Sequence, residues 1–181
     1  MKGIVFTLLQ QLVTDAHGED TWDGLLDAAG LEGAYTSVGT YPDEEITALV
    51  DAASSALSKP PDDILIWFGR SCMPMFVESY PHVFEGHDDA RSLVLTLNDV
   101  IHPEVRKLFP GAYVPVFEYD DSDPEALSLS YQSKRRLCSF AEGLLMGAAD
   151  HFGEQAAVVH SKCMKRGDET CLITCSFSPA A

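Results

Sequence analysis

The chain has 181 residues, of which 46% are hydrophobic and 22% charged, a composition typical of a globular protein that is long enough to bury a core of its own. Its formal net charge is −16, from 12 Lys and Arg against 28 Asp and Glu, so its long-range field repels nucleic acid and anionic membrane surfaces. No apolar run is long enough to predict a bilayer-spanning helix.

The opening residues, MKGIVFTLLQQLVTDAHGED, contain one Lys followed by an apolar stretch, as a secretory leader does. They lack a small-residue cleavage site, and Gln and Asp interrupt the apolar stretch at helical spacing. We therefore expect the first helix of a cytoplasmic protein. The five cysteines are an odd number that clusters toward the C-terminus, which favours a metal site over a set of disulfides.

The first part of the chain is predicted to be helical, because apolar residues recur there at three- and four-residue spacing. The predicted helices cover residues 2–16, 20–30, 42–58 and 64–80, and a fifth begins near Asp88 and carries His102. Pro103 follows His102 directly, which removes an amide donor and predicts a disturbance of the helix at that point.

Alternation replaces helical spacing after Pro110, apart from one further helix. Strands are predicted over residues 112–120, 126–133, 154–163 and 170–177, with a helix over 133–153 and a hairpin turn over 164–169. Helices that precede strands, rather than alternating with them, predict an α+β fold with an antiparallel sheet. We expect one domain over 1–181, with a helical N-terminal subdomain over about 1–60 and a sheet-containing subdomain over about 61–181.

Tyr131, Ser133 and Arg135 are spaced two residues apart in YQSKR, at the end of a predicted strand, where alternate side chains share one face. Arg can bind one carboxylate bidentately while the hydroxyls donate to another, so this set suits a ligand with two carboxylates. The alternative is an ordinary solvent-facing strand edge.

His102 adds an imidazole, a common ligand of haem iron, although a histidine in an apolar helical stripe is more often a core residue.

The sequence is similar to the haem nitric oxide/oxygen binding (H-NOX) family, which is related to the haem domain of soluble guanylate cyclase. The similarity covers essentially the whole chain, and is carried by MKGIVF, HPEVRKLFPGA, YVPVF, YQSKR and AEGLLMGAADHF. The resemblance implies a haem b between the two subdomains, with His102 as the axial iron ligand and Tyr131, Ser133 and Arg135 on the propionates. It also implies that Pro115 presses on the macrocycle.

Phe140 stands where family members that hold O₂ stably carry a distal tyrosine. Bound O₂ needs a hydrogen-bond donor, whereas NO binds ferrous iron tightly without one. We therefore predict strong NO binding, weaker CO binding and no stable O₂ complex. The expected apolar walls of the haem pocket are Val5, Leu9, Phe76, Phe140 and Leu144, although such residues at helical spacing are more often plain core.

A second group of candidate ligands consists of Cys138, His160, Cys163 and Cys171, which the predicted hairpin and the preceding helix can bring together. Three thiolates and an imidazole form a closed tetrahedral zinc set, which is structural rather than catalytic. Cys175 is a poorer ligand, because four strand residues separate it from Cys171 by roughly 13 Å. Some family members that match this pattern carry zinc, but unconnected buried cysteines are the alternative.

The predicted function is a haem-based NO sensor that is not an enzyme and that regulates a signalling partner in trans. The resemblance implies that this partner is a histidine kinase or a cyclic-di-GMP enzyme (a diguanylate cyclase or phosphodiesterase), and that NO binding releases the helix carrying His102. One alternative is a redox sensor that uses the C-terminal thiols and releases zinc. Another is a haem enzyme such as an NO dioxygenase or a peroxidase, although no distal His/Arg pair supports peroxidase chemistry.

Overall fold

Seven helices and one four-stranded sheet make up the computed structural model, which describes residues 1–180. The helices are α1 (Gly3–His17), α2 (Glu19–Ala29), α3 (Asp43–Leu57), α4 (Pro61–Ser79), α5 (Ala90–Leu95), α6 (His102–Leu108) and α7 (Cys138–His151). The strands are β1 (Phe117–Asp120), β2 (Leu127–Tyr131), β3 (Glu154–Lys162) and β4 (Cys171–Pro179). No described helix is long and apolar enough to cross a membrane.

The sheet is antiparallel throughout, with the strand order β1-β2-β4-β3, so β1 and β3 are its edges. Its buried face carries Leu127, Leu129, Ile173 and Cys175, and α7 packs on β3 and β4. The predicted α+β class, with helices first and an antiparallel sheet after them, is confirmed.

Helices α4 and α7 cross at very short range, because glycines line their contact. A Cβ atom on Gly69 would lie 2.3 Å from the Phe140 carbonyl oxygen, and one on Gly143 would lie 2.2 Å from the Ile66 carbonyl oxygen. Only a residue without a side chain fits such a backbone approach. The crossing places Phe140 against Phe68, with ring centroids 4.9 Å apart.

The predicted single helix from Asp88 through His102 is wrong in detail, because the stretch divides into three helical pieces. α5 ends at Leu95, residues Leu97–Ile101 form a π-helical turn, and α6 begins at His102. The π-helical turn is defined by two i→i−5 bonds, from the Ile101 amide to the Thr96 carbonyl and from the His102 amide to the Leu97 carbonyl. Such turns are rare and frequently occur at functional sites.

Two other predicted elements are shorter in the structure. β1 begins at Phe117 rather than at residue 112, because Pro115 has no amide hydrogen to donate to a ladder. β2 ends at Tyr131, and α7 begins at Cys138 rather than at Ser133, so residues 132–137 form a connecting turn.

Candidate haem and metal sites

His102 lies at the first position of α6, half-buried, with its ring against the first residue of β1. Its Nδ1 atom is buried and has no hydrogen-bond partner among the described residues. Burial and, next, the nearby charge of Arg106 lower the pKa of His102, the Pro115 carbonyl acts in the opposite direction, and together they leave the pKa at about 4. The imidazole is therefore neutral at neutral pH, which is the form that binds a metal.

Three aromatic rings connect His102 to the YQSKR motif. The His102 ring is stacked on Phe117, with centroids 5.9 Å apart and planes 27° from parallel. Phe117 in turn lies opposite Tyr131 in the β1–β2 register, and their centroids are 5.9 Å apart. The structure therefore brings the predicted iron ligand and the predicted propionate ligands to one end of the sheet.

Tyr131 and Ser133 are both buried, whereas Arg135 is partly exposed in the turn after β2. Arg135 donates from Nε to Asp43 Oδ1 across 2.8 Å and from a terminal nitrogen to the Tyr113 carbonyl across 2.9 Å. Its guanidinium also lies 5.1 Å from the centroid of the Tyr113 ring. β2 ends at Tyr131, so Ser133 and Arg135 lie in the turn that follows the strand, although buried and exposed residues still alternate from Tyr131 to Ser133.

The five residues expected to form the apolar wall lie together. Leu9 is buried in the main core cluster, and the other four pack against that cluster as partly buried side chains: Val5, Phe76, Phe140 and Leu144. Phe76 and Leu144 also pack against a smaller core cluster. Ile101, the residue directly before His102, packs against the same cluster. The predicted wall is thus continuous with the segment that carries the histidine.

Three of the four candidate zinc ligands form a compact buried group. The Sγ atom of Cys163 lies 3.6 Å from that of Cys138 and 3.8 Å from that of Cys171. Two sulfurs on a tetrahedral zinc, with Zn–S bonds of about 2.3 Å, are separated by about 3.8 Å. Cys138, Cys163 and Cys171 therefore have the spacing of zinc ligands.

Backbone amides support this group of thiols. The Met164 amide donates to Cys171 Sγ across 3.2 Å, and the Cys163 amide donates to Asp168 across 2.7 Å, which fixes the hairpin turn. Burial alone raises the pKa of the Cys163 thiol, but the Lys165 amide and the neighbouring thiols outweigh it and leave the pKa lowered. These contacts thus make the Cys163 thiol more acidic than a free cysteine.

His160 lies beside the three cysteines without completing a compact set of four. Its Nε2 atom is 3.1 Å from Glu142 Oε2, in a contact that lacks the alignment of a hydrogen bond. Cys138 and, next, Glu142 raise the pKa of His160 to about 10. A bound metal ion would take the place of that proton, since a ligating histidine is neutral.

Four residues with evident roles at these sites were not singled out by the sequence: Asp43, Asn98, Phe117 and Glu142. Each acts through a contact between residues that are distant in sequence, such as the 92 residues between Asp43 and Arg135. No local pattern marks such contacts. The one available signal was the position of Phe117 within the predicted strand over residues 112–120.

The chain matches the family model described as Haem-NO-binding over residues 2–160. It is similar to the crystal structure of an H-NOX protein from S. oneidensis in the Fe(II)NO ligation state, with 32% identity, a TM-score of 0.91 and coverage of 98% of this chain and 99% of that one. An unliganded Fe(II) H-NOX protein from K. algicida is 29% identical, with a TM-score of 0.88 and coverage of 98% and 97%.

The IWP-051-bound H-NOX from Shewanella woodyi, in the Fe(II)CO ligation state, is 34% identical, with a TM-score of 0.83 and coverage of 100% and 96%. No curated protein matches the chain. The fold and these matches define a haem-based gas-sensor domain. The chain belongs to the Haem-NO-binding (H-NOX) family, which confirms the resemblance seen in the sequence.

Proposed function

We propose that the chain holds a haem b between two subdomains that meet near residue 60, and that it senses NO. The observation that carries this proposal is the contact of the Phe117 ring with both His102 and Tyr131, by which a neutral imidazole and the YQSKR motif lie at one end of the sheet. His102 is the proposed iron ligand. Tyr131, Ser133 and Arg135 are the proposed partners of the propionates, and Pro115, whose carbonyl lies by the His102 ring, is proposed to contact the macrocycle.

The residues present fit a haem in three respects. The buried Nδ1 atom of His102 has no protein partner, and burial keeps the ring neutral. Arg135 has five N–H donors and uses two of them in the bonds to Asp43 and Tyr113, so donors remain for a propionate. The apolar wall supplies the nonpolar surface that a porphyrin needs.

Ferrous haem supplies the iron centre to which NO or CO binds. The chain's own contribution to gas selectivity is the apolar wall, in which Phe140 packs on Phe68 and offers no donor to a bound gas. Cys72, buried on α4, is only a weak donor, and burial raises its pKa to about 12. We infer a preference for NO, then CO, with no stable O₂ complex.

Absorption spectra of the ferrous protein under NO, under CO and in air test this proposal. We expect shifted spectra with NO and CO and no oxy spectrum in air. His102→Gly should lose haem or the iron–histidine signature, while the matched variant of an exposed histidine, His82→Gly, should keep both. A stable oxy spectrum would contradict the gas preference, and an unchanged spectrum of His102→Gly would contradict the ligand assignment.

We further propose that the chain is a sensor rather than an enzyme and signals in trans to a histidine kinase or a diguanylate cyclase or phosphodiesterase. The apolar wall offers no side chain for general acid–base catalysis, which supports this role over a peroxidase or an NO dioxygenase. The five unpaired thiols suit the reducing cytoplasm. Addition of the NO-loaded protein to such a partner, with kinase or cyclase activity as the readout, tests the regulatory role.

A structural zinc ion is the proposed occupant of the group formed by Cys138, Cys163 and Cys171, with His160 as the fourth ligand. The sulfur spacings support it, since they equal those of a tetrahedral thiolate site within about 0.2 Å. The three cysteines come from α7, the hairpin turn and β4, so one ion would join all three elements.

Metal analysis of the purified protein tests the zinc site. We expect one zinc per chain, lost in Cys163→Ser and retained in Cys175→Ala, because Cys175 lies outside the group. Peroxide treatment separates a permanent zinc site from a redox switch: release of zinc together with a reversible change in the sensor's effect on its partner would favour the switch.

A further inference from the structure

Asn98 lies in the π-helical turn, and its carboxamide makes two hydrogen bonds to the backbone of one residue of β1. Its Nδ2 atom donates to the Phe117 carbonyl across 2.6 Å, and the Phe117 amide donates to its Oδ1 atom across 3.1 Å. Exchange of both bonds with one residue is the pattern of a hydrogen-bonded pair in an antiparallel ladder. Because β1 is an edge strand, the side chain of Asn98 occupies the place of a missing neighbouring strand.

The residue that Asn98 binds is the one on which His102 is stacked. Asn98 and His102 are four residues apart, so they project from the same side of the helical stretch toward β1. Asn98 thereby fixes the backbone of Phe117, and the Phe117 ring fixes the face of the imidazole. The π-helical turn sets the relative orientation of Asn98 and His102, since its last bond runs from the His102 amide to the Leu97 carbonyl.

We propose that Asn98 is a positioning residue for His102: its carboxamide fastens the π-helical turn to the edge of the sheet and so fixes the orientation of the imidazole. This inference rests on the proposed function, in which His102 is the iron ligand. With Asn98 bound to β1, residues 97–101 are the anchored end of the stretch 97–108. α6 is then the end that is free to move, and its exposed residues include Leu108.

The neighbouring contact between Tyr119 and Val94 provides a matched control. The Tyr119 hydroxyl donates to the Val94 carbonyl across 3.2 Å, which also joins β1 to this helical stretch, but N-terminal to the π-helical turn. Tyr119→Phe removes that bond and the contact of the hydroxyl with the Asn98 backbone amide, but it leaves both bonds between the Asn98 carboxamide and Phe117 in place. Asn98→Leu keeps the size of the side chain and removes both of its hydrogen bonds, and Asn98→Ser serves if the leucine variant does not fold.

The experiment compares the haem-loaded ferrous protein with these variants by resonance Raman spectroscopy and amide hydrogen exchange. In Asn98→Leu we expect a shifted or broadened iron–histidine band and about tenfold faster exchange at Phe117 and His102, because the loss of a net hydrogen bond changes an opening equilibrium by about that factor. In Tyr119→Phe we expect the band of the wild-type protein.

An iron–histidine band in Asn98→Leu identical to that of the wild type would overturn the positioning role. An equal shift of the band in Tyr119→Phe would also overturn it, since a general loosening of β1 would then account for the effect. Absence of the band from the wild-type protein is a different failure, because it would contradict the assignment of His102 as the iron ligand.

Discussion

Arg135 and Asp43 form an ion pair, with 2.8 Å between Nε and Oδ1, that joins the turn after β2 to the first turn of α3. The Met1 amine donates to the same oxygen across 2.6 Å. Asp43 also lies where the dipole of α3 favours a negative charge. The arginine proposed to hold a propionate therefore also links α3 to the turn that follows β2.

Asp43→Asn should reduce the free energy of unfolding at pH 7 by about 0.5–1 kcal/mol, a modest value because the pair is partly exposed. Burial is the largest single influence on the Asp43 pKa and raises it, but the bonds and charges of the Met1 amine and Arg135 together leave it below its ordinary 3.8. Urea unfolding of the wild type and the variant measures the difference.

The pH dependence of that difference has a definite sign. A carboxyl group with a lowered pKa in the folded state contributes stability that is complete above 3.8 and is lost as the pH falls through the folded value. The stability difference between the wild type and Asp43→Asn should thus persist at neutral pH and disappear in acid. Glu44→Gln is the control, since Glu44 is an exposed neighbour in the same helical turn. An equal loss in that variant would point to the helix dipole instead of the ion pair.

The sequence predicted those features that depend on local periodicity and on turn residues. Apolar residues at helical spacing identified α1 through α4 and α7. Alternating side chains on both sides of the turn over residues 164–169 identified the β3–β4 hairpin. The π-helical turn escaped prediction because the apolar residues from Leu93 to Val105 recur at ordinary α-helical spacing in the sequence, although Val100 is exposed in the structure. The turn over residues 132–137 also escaped it, since the predicted strand and helix met at Ser133, whereas β2 ends at Tyr131 and α7 begins at Cys138.

Gly143→Ala should destabilise the protein by about 1–3 kcal/mol, because the added Cβ would lie 2.2 Å from the Ile66 carbonyl oxygen and would push α4 and α7 apart. Gly24→Ala should instead stabilise it by about 0.5–1 kcal/mol, since Gly24 is inside α2 with open space around it. Thermal and urea unfolding of both variants measures the two effects. Stabilisation by both substitutions would show that the helix crossing is less tight than the structure indicates.

Glu142→Gln should weaken zinc binding by about 10- to 100-fold, because carboxylates that contact a ligating histidine orient it and raise its basicity. Competition with a chromophoric chelator measures the affinity. Asp168→Asn provides a comparison, since Asp168 accepts from the Cys163 amide and fixes the turn without facing His160. An unchanged affinity in Glu142→Gln would indicate that His160 does not bind the metal.

Pro103→Ala should make the helical segment around His102 more regular and less mobile. Pro103 follows the first residue of α6, so no amide there can donate back across the π-helical turn. Alanine restores that donor, and amide exchange over residues 97–108 should slow. The predicted release of this helix by NO implies faster exchange here in the ferrous wild-type protein, and that increase should be smaller in the variant, with Lys107→Ala, an exposed substitution in the same helix, as the control. If NO accelerates exchange equally in Pro103→Ala and in the wild type, the discontinuity at Pro103 is not what allows the helix to move, while the assignment of His102 as the ligand stands.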